Sequence, residues 1–143
     1  MALTLGSINL ADNPDLAGEQ LEWTDEWDWD PVEQNQERSL SGALIVQEGR
    51  SKLYGRPITL SSNGGAYFTL AKVRELEALA AVRVIVMLLT LPTGAQHYVT
   101  WNRAAGPSVQ AKPMWRTVNA SNDWLHELTL RLITVAPPAP PAP

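Results

Sequence analysis

Trp124-Leu125-His126-Glu127-Leu128-Thr129-Leu130-Arg131-Leu132-Ile133-Thr134-Val135 is the stretch that decides the fold class. Leu128, Leu130 and Leu132 share one parity and Thr129, Arg131 and Ile133 the other, which is the two-residue period of a strand rather than the 3.6-residue period of a helix. The chain that follows, from Ala136 to Pro143, is Ala-Pro-Pro-Ala-Pro-Pro-Ala-Pro. Proline supplies no N–H and fixes φ, so this tail joins neither sheet nor helix. Residues 1–135 are therefore expected to form one β-rich domain, with 136–143 as a mobile Pro-rich tail.

Upstream, Val84 to Leu91 is a run of β-branched and bulky apolar residues, Pro92-Thr93-Gly94-Ala95 is a turn, and Gln96 to Arg103 is the return strand. Together they read as a central hairpin. Before them, Thr69 can cap a helix over Leu70 to Ala81, in which Val73, Leu76 and Leu79/Ala80 recur at helical spacing. Three turns suffice to cover one face of a sheet but cannot supply the crossovers of a parallel one. Arg56 to Leu60 reads as a short strand closed by the turn cluster Ser61 to Gly65, and Gly49 to Gly55 as an irregular link. Arg38 to Gln47 reads as a strand with its apolar centre at Ala43 to Val46, Val109 to Val118 as a strand interrupted by Pro113, and Leu3 to Leu10 as a short strand or hairpin arm. Ala11 to Glu19 and Asn119 to Asp123 read as loops. Seven or eight strands, turn signals every 8 to 14 residues and one helix point to a mainly β, antiparallel sandwich or partly closed barrel with one flanking α-helix.

Leu21 to Pro31 carries the most unusual composition. Leu21, Trp23, Trp27 and Trp29 fall on one parity with acidic and polar residues between, so the segment is expected to be a strand with an indole face and a carboxylate face that ends at Pro31. From Met1 to Glu37 there are ten acids and no Lys or Arg, a net charge of -10, whereas the rest of the chain carries 11 bases against five acids, a net of +6. Such asymmetry allows three arrangements: the acidic segment folded over its own basic body, the acidic segment against a neighbour, or a basic body on nucleic acid. The bases are scattered singly without a basic-aromatic stripe, which argues against specific nucleic-acid binding.

Chemistry is sparse. The chain has no cysteine and two histidines, His97 and His126, on different strands, so thiolate metal sites and Cys nucleophiles are excluded and no metal or cofactor is expected. Asp28, Val32, Glu33 and Ser39 fail the spacing of a calcium loop. No nucleophile elbow or phosphate loop occurs, and an enzyme is not expected. No apolar run approaches the roughly 20 residues of a membrane helix, and Met1 to Ser7 shows no secretory signal.

The order of segments resembles the small tail-tip or baseplate ring proteins of long-tailed bacteriophages, similar to distal tail proteins. Trp27-Asp28-Trp29-Asp30-Pro31 comes first, then Arg38 to Gln47, then Gly55-Arg56-Pro57-Ile58-Thr59-Leu60. A short helix follows, then a hairpin ending Tyr98-Val99-Thr100-Trp101, then Ala111-Lys112-Pro113-Met114-Trp115, and finally Leu128 to Leu132. The resemblance covers Leu3 to Val135. It implies a tail-tube-like sandwich, a structural role in the virion, assembly in the host cytoplasm, and a ring of six copies contacting the tail-tube protein and other tail-tip proteins. Trp23, Trp27, Asp28, Trp29 and Asp30 are then the candidate subunit interface. Two other expectations are a carbohydrate-binding sandwich that stacks sugars on Trp23, Trp27 and Trp29, and a small acid hydrolase built around Asp28 and Asp30.

Overall fold

The computed structural model describes residues 3–11, 20–83, 85–104, 106–115 and 124–138. Eleven strands and one helix follow in chain order: β1 (Thr4–Leu5), β2 (Ile8–Asn9), β3 (Glu22–Trp23), a 3-10 turn (Glu26–Asp28), β4 (Val32–Arg38), β5 (Leu44–Ser51), β6 (Pro57–Ser61), β7 (Phe68–Thr69), α1 (Leu70–Ala80), β8 (Met87–Thr90), β9 (Gln96–Trp101), β10 (Val109–Pro113) and β11 (Leu125–Thr134). The expected fold class holds: the chain is mainly β with one helix, and every strand pair among the described residues is antiparallel. The strand count exceeds the expectation because the hairpin arm expected over Leu3 to Leu10 divides into β1 and β2, and because β4 and the two-residue β7 form where no strand is expected.

Strand β11 organises the main sheet. The path runs β2-β1-β8-β9-β11-β6-β3, with β10 and β7 also attached to β11. On one flank β11 pairs with β10 through residues 126–130 and with β9 through 132–134. On the other it pairs with β7 through 125–126 and with β6 through 129–133. Strands β2 and β3 end the path and do not pair with each other, so no closed barrel forms among the described residues. Instead the sheet folds over itself. Strands β9 and β3 are three steps apart, about 14 Å in a flat sheet, yet the rings of Trp23 and His97 meet edge to face at 6.0 Å.

The core lies inside this fold. Leu3, Leu5, Ile58, Leu60, Leu89, Val99, Leu128, Leu130 and Leu132 are sealed from solvent, joined by Phe68, Met87, Trp101 and, from α1, Val73 and Leu76. Thr69 caps α1 as expected, its Oγ1 accepting from Lys72 N at 3.4 Å. The other end is closed by Arg103, which donates to the carbonyls of Ala80 at 2.6 Å and Val82 at 3.2 Å, satisfying orphan acceptors of the last turn. The β8–β9 hairpin turns at Gly94, whose φ of +92° would strain any residue with a Cβ. Its first strand begins at Met87 rather than Val84, and Val84 itself lies outside the described residues.

Three expectations on the acidic side need correction. Leu21 to Pro31 is not one strand: only Glu22 and Trp23 pair with β6, and the chain then leaves the ladder. Asp25 causes the departure, because its carboxylate accepts from Thr59 N at 3.0 Å and Thr59 Oγ1 at 2.9 Å and pulls the backbone into a turn. The second correction is that Val32 to Arg38, which has no apolar alternation, is strand β4. Third, the strand expected over Arg38 to Gln47 is a turn at Ser39 to Ala43, with Gly42 at a φ of +87°, followed by β5, which runs on through Gly49 to Ser51. Among the described residues, strands β4 and β5 pair only with each other and form a two-stranded ribbon apart from the main sheet.

The loop over Ala11 to Glu19 (from residue 12), the part of the Val109 to Val118 strand beyond Trp115, the Asn119 to Asp123 loop and the tail from Ala139 lie outside the described residues. Ala136 to Pro138 belong to no strand or helix and are exposed.

Candidate functional site

The ribbon and its base hold the features that the core leaves unexplained. No ribbon residue belongs to the core. Leu44, Ile45 and Val46 are 50%, 41% and 45% exposed, and Leu40 at the tip is fully exposed. Leu44 and Val46 stand opposite Arg38 and Gln36, and Ile45 stands opposite Glu37, so apolar side chains occur on both ribbon faces. One polar bond links the strands, Gln34 Nε2 donating to Glu48 Oε1 at 2.8 Å, and within β4 Gln36 Nε2 donates to Gln34 Oε1.

Below the ribbon the two chain segments are tied together and to the body. Lys52 N donates to Pro31 O at 2.7 Å, and Asp30 Oδ1 accepts from Val32 N at 3.0 Å, which turns the chain into β4. Asp25 holds β6 as described above. Arg56 donates to the carbonyl of Glu26 at 2.7 Å and lays its guanidinium over Trp23, 4.5 Å from the ring centroid. Trp23 Nε1 and Arg56 Nε are buried with no acceptor among the described residues, so this contact rests on stacking. Burial first, and the charge of Arg56 second, hold the His97 pKa below its ordinary value.

The candidate interface residues separate. Trp23 is packed inward between Arg56 and His97. Trp29 is half-buried beneath Lys52, whose Nζ sits 4.6 Å from its ring centroid. Trp27, on the 3-10 turn, is 88% exposed. Asp28 is exposed beside it, and Asp30 is exposed while serving the turn into β4. The expected common indole face does not exist, because Asp25 ended the strand that would have aligned it. A sugar platform of three rings is therefore lost, and one free indole remains.

Among the described residues no three His, Asp or Glu side chains converge to hold a metal. His126 is buried, with Nδ1 3.2 Å from Trp124 O in the geometry of a donated bond. Also among the described residues, the salt bridges are Lys72–Glu75 and Arg74–Glu77, both within α1. Among the described residues the acids from Glu22 to Glu37 form no ion pair, while Asp25 and the Glu26 carbonyl are held by Thr59 and Arg56 of the same chain. No helix among the described residues is long and apolar enough to cross a membrane.

Sequence reasoning missed the ribbon. The available signal was the Ser39-Leu40-Ser41-Gly42 turn between two strand-length segments. No protein-family model, curated protein or solved structure matches the chain.

Proposed function

We propose that this protein is a structural subunit that assembles with copies of itself into a ring at the distal end of a long phage tail, joining the tail tube to the tail tip. The virion location, the six copies and the neighbouring tail proteins follow from the resemblance in segment order. The ribbon is the observation that carries self-assembly. It presents two strand edges and three consecutive apolar side chains to solvent, a combination that invites pairing with another chain unless it is covered.

Sedimentation velocity of purified protein tests the reading. Wild type is expected to form a discrete oligomer, and Ile45→Lys combined with Val46→Lys to sediment as a folded monomer. A wild type that stays monomeric at every concentration rejects it. The exposed Trp27 sustains one other reading, sugar stacking. Retention of the monomer on glycan beads, lost in Trp27→Ala, would select that reading instead.

A further inference from the structure

The two outer edges of the ribbon differ. Partners in an antiparallel ladder alternate between pairs whose N–H and C=O groups bond each other and pairs whose groups point away from the ladder. Ser39 N donates to Ala43 O at 2.9 Å, which makes Ser39 and Ala43 a bonded pair. Along the register, Glu37–Ile45 and Asn35–Gln47 are then bonded pairs, whereas Arg38–Leu44, Gln36–Val46 and Gln34–Glu48 turn their backbone groups outward. The outer edge of β4 thus offers the backbone of Gln34, Gln36 and Arg38, and that of β5 offers the backbone of Leu44, Val46 and Glu48. Among the described residues neither edge is paired.

Charge guards one edge and leaves the other open. Strand β4 carries Glu33, Glu37 and Arg38, and charged side chains on an edge oppose the addition of another strand. The run Ala43-Leu44-Ile45-Val46-Gln47 carries no charge. It is also self-complementary. Laid antiparallel on a second copy about a two-fold axis through Ile45, it sets Leu44 opposite Val46, Val46 opposite Leu44 and Ile45 opposite Ile45. This register bonds the outward groups of Leu44 and Val46 and leaves Ile45, whose groups β4 already holds, in an unbonded pair. Glu48 falls opposite Gly42, whose φ of +87° lies outside strand geometry, so the new ladder ends before any charge enters it. Leu44 and Val46 of both copies gather on one face, and the two Ile45 side chains meet on the other. Centring the axis on Val46 would set Leu44 against Glu48. Laying β5 on a neighbour's β4 in the ribbon's own register would set Ile45 against Glu37 and Leu44 against Arg38.

We propose that β5 pairs with β5 of a second copy about the axis at Ile45, giving a four-stranded sheet in the order β4-β5-β5-β4. The proposal rests on the self-assembly reading and adds the strand, the register and the symmetry of the first contact. A two-fold contact uses the same patch on both copies and closes on itself, so it makes a pair, and a ring joins such pairs through a different surface. Pairing also removes the open β5 edges and leaves the charged β4 edges at the rim, where they resist further addition.

The chain has no cysteine, so single thiols report the register. Facing residues of an unbonded antiparallel pair lie about 4.5 Å apart at Cα, within the roughly 4.4–6.8 Å that a disulfide spans. On mild oxidation of the full chain, Ile45→Cys is expected to give a disulfide dimer. Leu44→Cys and Val46→Cys should each cross-link poorly alone and readily when mixed, because each faces the other across the axis. Val46→Pro removes only an outward N–H, which an edge strand tolerates, and should sediment as a folded monomer. Gln36→Pro does the same to the β4 edge and should leave the pair intact. A wild type that associates while Ile45→Cys fails to cross-link overturns the pairing and leaves self-assembly standing. So does cross-linking that is strongest in Val46→Cys alone, or between Val46→Cys and Gln36→Cys. A wild type that stays monomeric at every concentration rejects both.

Discussion

Strands β11 and β5 are built from similar residues and live in opposite environments. Leu128, Leu130 and Leu132 on β11 are sealed, whereas Leu44, Ile45 and Val46 on β5 are 41% to 50% exposed. The difference lies in partners. β11 is paired by β10 and β9 on one flank and by β7 and β6 on the other, and it packs beneath a folded sheet with α1 beside it. β5 has β4 alone. A strand's own apolarity therefore selects strand geometry, and the topology around it decides whether that apolarity is buried. An isolated two-stranded hairpin is marginal in water, so the ribbon depends on its tie at Pro31 and Lys52 and on whatever covers it.

The largest expected effect tests the buried side. Leu130→Ala removes a side chain with 0% exposure at the crossing of β10, β11 and β6, and should cost about 2–5 kcal/mol through lost transfer energy and the cavity left behind. Denaturant unfolding reads it directly. A cost below about 1 kcal/mol would mean that β11 is not the organising strand, since relaxation that complete is outside the usual range. Leu76→Ala, on the buried face of α1, should fall in the same range.

That half of the molecule was legible because alternation, caps and turns all agreed. The parity of Leu128 to Leu132, the Thr69 cap and the Pro92 to Ala95 turn each predict what forms. The acidic half was illegible for a physical reason. Parity assigns Trp23, Trp27 and Trp29 to one face only while the ladder continues, and a single side chain, Asp25, ends it by bonding Thr59, 34 residues away. Nothing local announces a bond of that separation. Strand β4 escaped notice because Glu33 to Arg38 contains no apolar residue, and period reasoning reads burial rather than backbone pairing.

The bridge between the halves gives the next effect. Asp25→Ala removes both bonds to Thr59 and leaves its part-buried N–H and hydroxyl without that partner, and should cost about 1–3 kcal/mol. Hydrogen exchange should quicken in β6 and at the ribbon base together. Faster exchange confined to β6 would show that the ribbon is held by Arg56 and Lys52 alone.

A smaller, pH-dependent contribution comes from the same junction. Burial and Arg56 hold the His97 pKa below 6.5, so the unfolded chain binds this proton more readily than the folded one. Stability from this group is present in full above about pH 6.5 and is lost as the pH falls from there to the lowered folded value, below which both states are protonated. His97→Gln should flatten the stability profile in that window. An unchanged slope would show that His97 does not contribute to the pH dependence of stability.

The smallest effect on stability sharpens the comparison most. Ile45→Ser with Val46→Ser alters two β-branched residues that are already about half in water and touch none of the core, so each change should shift the unfolding free energy by no more than about 0.5 kcal/mol. On β11 a substitution of the same chemical kind would place a hydroxyl among Leu128, Leu130 and Leu132 and incur the cost of an unpaired buried polar group. The monomer's melting curve should therefore barely register the ribbon variant, while any oligomer it belongs to should register it strongly. If the isolated monomer were destabilised by 2 kcal/mol or more, well beyond what exposed positions cost, the ribbon would be packed against its own body in solution, and the contrast between β5 and β11 would be one of degree. If monomer stability and assembly were both indifferent, the apolar triplet would be merely tolerated on the surface, and the self-association reading would lose the observation on which it stands.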